Sequence, residues 1–309
     1  MILFSLIIVL LLEQLWPLPV ERVVLAPLRG LAAALAQRFN DGQEGHGTLA
    51  WALLAGGGTV SCALIDHWLP GLLGGVFMVV ALYFTLGFRH EGHFFTDIHL
   101  ALRMNDLARA RVLLGEWRGG QYENADADEL ARLTVEQAVV AAHRNVFGVV
   151  FWFALLAPFF GPAGAVMYRL ARFLYDEWGR RGDEGFDRFG AWARQAFLFI
   201  DWLPARVTAI LYALVGNFED ALLCWRTQAV LWADRTAAVL VASGAGALGV
   251  RLGGGPAAGE AATAESPEVG VGDRAGVDSM QGAVGLIWRA LVVYLVVLAL
   301  AGIAAWVGD

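Results

Sequence analysis

Four stretches hold residues of the types that chemistry needs. Three of the six histidines crowd together in His90-Glu91-Gly92-His93, followed by Asp97 and His99. On a helix His90, His93 and Asp97 share a face, which is the geometry of a metal site. Gly92 and the position at the end of an apolar run favour polar side chains bonding at a membrane interface, so no metal ligand is assigned. His143-Arg144-Asn145 is the second group, either an anion-facing rim or an arginine snorkelling to lipid headgroups. Asp201-Trp202-Leu203-Pro204-Ala205-Arg206 is the third. The fourth is Ser243 to Gly255, where Gly244, Gly246, Gly249, Gly253, Gly254 and Gly255 surround Arg251. Glycines let backbone N–H groups come close to an anion, and arginine adds a forked donor for phosphate or carboxylate. Small residues also pack membrane helices, and that reading stays open on these residues alone.

The elements that hold these groups are apolar. The chain has 309 residues, is 58% hydrophobic and only 17% charged, with mean hydropathy +0.57. A soluble domain carries about a quarter charged residues. The reading is an all-α, polytopic integral membrane protein. All 22 basic residues are arginine, so chemistry that needs a lysine, as in a Walker phosphate loop or a Schiff base, is excluded. A net charge of −7 gives no basic field for nucleic acid, and no nucleic-acid partner is expected. Cys62 and Cys224 lie far apart in apolar stretches and are read neither as a disulfide nor as a metal pair.

A spanning helix takes about 20 apolar residues. Five segments approach that length: 1–18, 48–65, 68–88, 145–168 and 290–308. The first has no basic leader and no cleavage site, and is read as a permanent anchor. Arginine placement sets orientation. Arg22, Arg29 and Arg38 follow the first segment, and 89–144 carries seven arginines, so both stretches are expected in the cytoplasm with the N-terminus outside. The stretch 169–206 is equally basic, which a simple crossing by 145–168 would place outside. Ala157-Pro158-Phe159-Phe160-Gly161-Pro162-Ala163-Gly164 interrupts helical bonding there. A re-entrant helical hairpin leaves both flanks cytoplasmic, against the alternative of a kinked span with one basic loop outside. The stretch 207–218 is short for a crossing and is expected as an interfacial or re-entrant piece. Asp97 to Trp117 alternates apolar and arginine positions as an amphipathic surface helix does. The segment 253–283 has loop composition, and no strand pattern long enough for a sheet is found.

The string Ala245-Gly246-Ala247-Leu248-Gly249-Val250-Arg251-Leu252-Gly253-Gly254 resembles the C-terminal glycine motif of the CobD/CbiB family of cobalamin-biosynthesis membrane proteins. Asp201-Trp202-Leu203-Pro204-Ala205-Arg206-Val207-Thr208-Ala209 resembles that family's N-W-L-P-A-R-L-T-A. The run Glu265 to Asp273 resembles its K-P-x-L-G-x-G. Asp106 to Arg111, Gly148 to Trp152 and Tyr168-Arg169 follow it more loosely. Several polar positions differ. The family's V-E-S-x-x-E-N-x-x-D-G keeps its first glutamate as Glu136, with Val140 and Ala141 at its second acid and asparagine, and its N-T-L-D is represented by Arg172-Phe173-Leu174-Tyr175. The N-terminal D-P-x-x-x-P-H-P is reduced to Glu13 and Trp16-Pro17-Leu18-Pro19.

The resemblance implies an inner-membrane adenosylcobinamide-phosphate synthase, joining a corrinoid carboxylate to aminopropanol phosphate with ATP and Mg²⁺. It implies Glu136 and Asp273 as catalytic acids. It implies Arg206, Gly249, Arg251, Gly253, Tyr168 and Arg169 as substrate-binding residues, and Arg144, readable as an anion-facing rim, is placed with them although the family has an aspartate at the position of Arg144 or Asn145. The AmpE proteins, linked to sensing cell-wall fragments, share Met104 to Arg109 and Asp201 to Gly216, and imply a non-catalytic sensor as the alternative. The glycine string ranks the synthase first.

Overall fold

The computed structural model describes residues 2–16, 21–40, 44–181, 186–232, 234–256 and 265–308. Among them the chain is overwhelmingly helical, as expected. Four helices are long and apolar enough to cross a membrane: Gly45–Trp68, Ala127–Phe160, Ala191–Val215 and Ser279–Ala305. The segments expected at 1–18 and 68–88 are shorter apolar helices, Ile2–Leu15 and Gly71–Thr85, and Arg235–Leu248 is a third. Pro17, Leu18 and Pro19 of the N-terminal motif lie outside the described residues.

Three expectations are corrected. The stretch 207–218 is not a separate short piece, because residues to Val215 continue the helix that begins at Ala191. Asp201 and Arg206 interrupt the apolar pattern there without interrupting the backbone, and Pro204 sits inside the helix. The stretch 97–117 is two helices, Phe88–Arg103 and Leu107–Arg118. Asn105 turns the chain with φ +58°, and Asp106 caps the second helix by accepting the Arg109 N–H at 3.0 Å. The segment 253–283 contains short strands, described below.

By contacts the chain forms two compact units, Met1–Gly87 with Arg144–Pro204, and Phe88–His143 with Ala205–Asp309. In the first, the Gly148–Phe160 and Ala163–Leu174 helices pack against each other as a hairpin. Gly161 makes its turn at φ +55° and lies against the Asp66 carboxylate, so the tip meets the end of the Gly57–Trp68 helix. Gly164 sits on the Trp152 carbonyl with no room for a Cβ. Backbone cannot yield as a side chain can, so Gly164→Ala is expected to cost about 1–3 kcal/mol of overpacking. Gly285→Ala, where nothing lies within 4 Å, should be neutral or slightly stabilising. Thermal unfolding of the two variants in detergent checks this; equal midpoints would refute the close packing.

The second unit is built around the Ala127–Ala142 helix, which packs on Phe88–Arg103, Leu107–Arg118, Arg235–Leu248 and Ser279–Gly308. Its helices begin where the sequence places capping side chains: Asp106, Asp126, Asn217 and Asp234 each accept a first-turn N–H. Tyr212 donates to the Val139 carbonyl at 3.0 Å and Ser243 to that of Ala209 at 2.8 Å, satisfying buried polar groups between helices. After Arg235–Leu248 come strands β1 (Val250–Leu252), β2 (Gly255–Pro256), β3 (Glu265–Ser266), β4 (Val269–Gly270) and β5 (Asp273–Arg274). β1 is central, antiparallel to β4 and parallel to β5, while β2 pairs with β3. Strands this short carry too few side chains to show an alternating pattern, which is why composition suggested only a loop.

Candidate functional site

The glycine motif divides into three working parts. Its first residues end the Arg235–Leu248 helix, whose small side chains let it approach its neighbours: Gly246 lies on the backbone of Asp220 and Ala221. Gly249, in the left-handed conformation with φ +68°, caps that helix and turns the chain into β1. Arg251 stands in the middle of β1, and Gly253 follows at φ +78° with the Pro267 carbonyl filling the space a Cβ would need.

Gly253 is held by both of its backbone groups. Its N–H donates to Glu136 Oε1 at 2.6 Å, and its carbonyl accepts from Arg132. Glu136 also accepts from Arg132 at 3.0 Å and, through Oε2, from Arg118 at 3.1 Å. All three side chains are more than nine-tenths buried. Glu136, expected as an acid of the reaction, is thus a carboxylate with both oxygens engaged, and its visible action is to fix the glycine loop to the Ala127–Ala142 helix.

Across the sheet, Arg251 pairs in register with Arg274 of β5, and Val250 with Asp273. Paired residues of a parallel pair share a face. Arg251 and Arg274 accordingly meet the same carboxylate, Glu268, at 3.4 and 3.1 Å. Asp273, which the sequence reading grouped with Arg251, is exposed and belongs to the other register position. Arg206 is half-buried on the Ala191–Val215 helix.

In the first unit the expected residues Arg144, Tyr168 and Arg169 fall in a polar cluster around the hairpin. Tyr168 is fully buried and donates to Asp201, also fully buried, at 2.7 Å. Arg169 donates to Asn145 at 2.6 Å. Arg144 is buried. Arg172 donates to Asp176 at 2.6 Å and lies 5.7 Å over the Phe197 ring, and Arg180 reaches Asp176 at 3.7 Å. Partial desolvation raises the Asp176 carboxyl, whose side chain is still 37% exposed, but Arg172, Arg144 and Arg180 together hold it below the ordinary carboxylate value. Asp176 lies one residue beyond Tyr175, where the resemblance places an aspartate, and the Tyr175–Gly179 turn is a π-helix. In the second unit His143 Nδ1 lies 2.9 Å from the Thr208 hydroxyl. The His90 side chain lies outside the described residues, and among the described ones no three His, Cys, Asp or Glu side chains form a metal-binding set.

Residues 6–287 match the profile of the family described as CobD/Cbib protein. The chain belongs to this family. Among the CobD/CbiB relatives, the cobalamin biosynthesis protein CobD of Stutzerimonas stutzeri (strain A1501) is 35% identical over 302 residues, covering 96% of this chain and 97% of that protein. That of Chromobacterium violaceum is 37% identical over 211 residues, 68% of this chain and 65% of that protein. The cobalamin biosynthesis protein CbiB of Salmonella typhimurium (strain LT2) is 26% identical over 308 residues, 92% of this chain and 91% of that protein. These relatives lend no support to the AmpE-like alternative. No solved structure matches the chain.

Arg118, Arg132, Glu268 and Arg274 surround the glycine loop in the second unit, and Arg172 and Asp176 join the polar cluster of the first, none of them chosen from the sequence as a site residue. Each is an ordinary surface-type charge in the sequence. Only the register of β1 and β5 shows that Arg274 shares the Arg251 face. Only burial shows that Arg118 and Arg132 serve one carboxylate. The spacing of Glu136 four residues after Arg132 was a usable signal for a helical ion pair.

Proposed function

We propose that this CobD/CbiB member acts in cobalamin biosynthesis as an adenosylcobinamide-phosphate synthase, forming an amide between a corrinoid carboxylate and the amine of aminopropanol phosphate. The observation that carries this reading is the loop presented by Glu136 and Arg132, with Gly253 locked through both backbone groups and Arg251 standing beside Arg274. That arrangement places two guanidinium forks on rigid backbone, the form in which arginine receives a phosphate. In the polar cluster of the first unit Arg144 and Arg169 are assigned to the substrate, while Tyr168, wholly buried and bonded to Asp201, supports that cluster from within. In the second unit Glu136 acts by positioning the glycine loop.

ATP and Mg²⁺ belong to this proposal as co-reactants. The carboxylates beside the glycine loop do not form a magnesium site: Glu136 and Glu268 are each committed to two arginines, and Asp273 belongs to the other register position. Residues of the glycine loop therefore do not fit the ion, which commonly takes one or two free carboxylates as well as substrate phosphates. The apolar helices place the protein across a lipid bilayer, proposed as the bacterial inner membrane with the N-terminus outside and the arginine-rich stretches 89–144 and 169–289 facing the cytoplasm except where the helices Ala127–Phe160 and Ala191–Val215, long and apolar enough to cross, run through them. Contact of the hairpin turn with Asp66, at the outer end of the second segment in this topology, supports the hairpin over a single kinked span.

Complementation tests the reading. A corrinoid-dependent strain lacking its own synthase should grow when it carries this chain, with cobinamide phosphate detected by mass spectrometry. No product, with membrane insertion verified by labelling a His67→Cys variant, at an exposed position in the turn after the second segment, from outside the cell, would overturn the synthase assignment.

A further inference from the structure

The pairing of Arg251 and Arg274 is filled by the chain itself. Glu268 gives one carboxylate oxygen to each guanidinium, Oε2 to Arg251 at 3.4 Å and Oε1 to Arg274 at 3.1 Å. Strong guanidinium–carboxylate bonds run nearer 2.7–2.9 Å. The three side chains are 40%, 73% and 32% exposed, so the pairs are solvent-screened and individually weak. One carboxylate also leaves two guanidiniums undercompensated, and Arg251 Nε is sealed from solvent with no hydrogen-bond partner.

The backbone around this loose contact is, by contrast, firmly held. Gly253 is fixed by Glu136 and Arg132, and the Arg251 carbonyl accepts the Ala275 N–H at 3.1 Å. On the Glu268 side, Trp232 donates to the Pro267 carbonyl at 2.9 Å, and Gln228 accepts the Gly270 N–H at 2.5 Å. The arginines are thus carried on fixed strands, and the Glu268 side chain is the part able to move.

We propose that Arg251 and Arg274 form an oxyanion site for a phosphate-bearing ligand, with Glu268 as a built-in occupant that the phosphate displaces. The proposal deepens the synthase reading, on which its choice of phosphate rests, by adding Arg274 and Glu268 to the subsite assigned to Arg251. A phosphate dianion matches the two guanidinium charges that Glu268 half-cancels, and its three oxygens accept from both forks at once. Glu268 half-cancels the charge of the empty site and lowers its affinity by competition, which discriminates against weak monoanions.

The test is phosphate binding to the full chain in detergent, followed by calorimetry and by ligand-induced thermal stabilisation, with inorganic phosphate as the probe. Glu268→Gln should bind phosphate about 2–5-fold more tightly than the unaltered protein, the range that loss of a weak competing ion pair allows. Arg274→Ala and Arg251→Ala should each weaken binding about tenfold or more. Unchanged or weaker binding by Glu268→Gln, or unaltered affinity in Arg274→Ala, overturns the proposal. Arg274 is largely exposed, so its variant tests the site even where Arg251→Ala fails to fold. Acetate binding as tightly as phosphate overturns the assignment to phosphate. Because the measurement needs no turnover, the affinity pattern can hold when complementation fails, which removes the synthase and leaves the site; the reverse result removes the site alone.

Discussion

Glu136→Ala is expected to destabilise the protein by about 3–5 kcal/mol, the cost of breaking a buried ion pair from one side. The carboxylate pairs with the deeply buried Arg118 at 3.1 Å and with Arg132 at 3.0 Å, and Arg132 also reaches Glu129 at 3.7 Å. Removing it takes a buried carboxylate away from both guanidiniums and the acceptor away from the Gly253 N–H. Glu136→Gln keeps an oxygen for Gly253 but not the charge, and should fall between the alanine variant and the parent. Equilibrium unfolding in detergent reads the loss, and hydrogen exchange at Gly253 reads its local part, since the loop should open before the helices around it. A Glu136→Ala protein of parental stability would show that the triad is not a clamp. The comparison also separates two roles for this residue: a proton-transferring acid, once removed, lowers turnover in a protein that still melts normally.

The helical class was legible because it rests on composition and on the length of apolar runs, both properties of the chain alone. The interruption at 157–164 was legible for the same local reason, and it is a helical hairpin turning at Gly161. What escaped depended on pairing at a distance. Val250 to Arg274 hides a three-stranded sheet because each strand is two or three residues long, below the length at which alternation can be read. The stretch 207–218 was misjudged because Asp201 and Arg206 look like a boundary in sequence. Asp201 is instead buried against Tyr168, so its charge is no guide to where the helix ends. Within the candidate site, Arg251 and Gly253 could be chosen from the glycine motif, but their partners could not, because Glu136 lies 117 residues away from Gly253.

Tyr168→Phe carries the second large effect, and it bears on a residue the family resemblance assigns to substrate. The ring is wholly buried, with Gly148 so close that a Cβ there would strike it, and its hydroxyl is spent on Asp201. Phenylalanine preserves the packing and removes one O–H donor from a buried carboxylate. Hydrogen bonds to charged groups contribute about 1.5–3 kcal/mol, and an acceptor left buried without its donor costs a similar amount, so a loss of about 2 kcal/mol in unfolding free energy is expected. Asp201→Asn should lose less, because its amide oxygen still accepts from Tyr168. A side chain with no exposed surface cannot touch a ligand without rearrangement. The KM for the aminopropanol phosphate substrate should therefore stay within about twofold of the parent, a difference of roughly 0.4 kcal/mol, while stability falls. The opposite pattern, parental stability with a KM raised tenfold, would mean that the hairpin opens to expose Tyr168 during binding. In that case the Arg169–Asn145 and Arg172–Asp176 contacts beside it would be the elements that part.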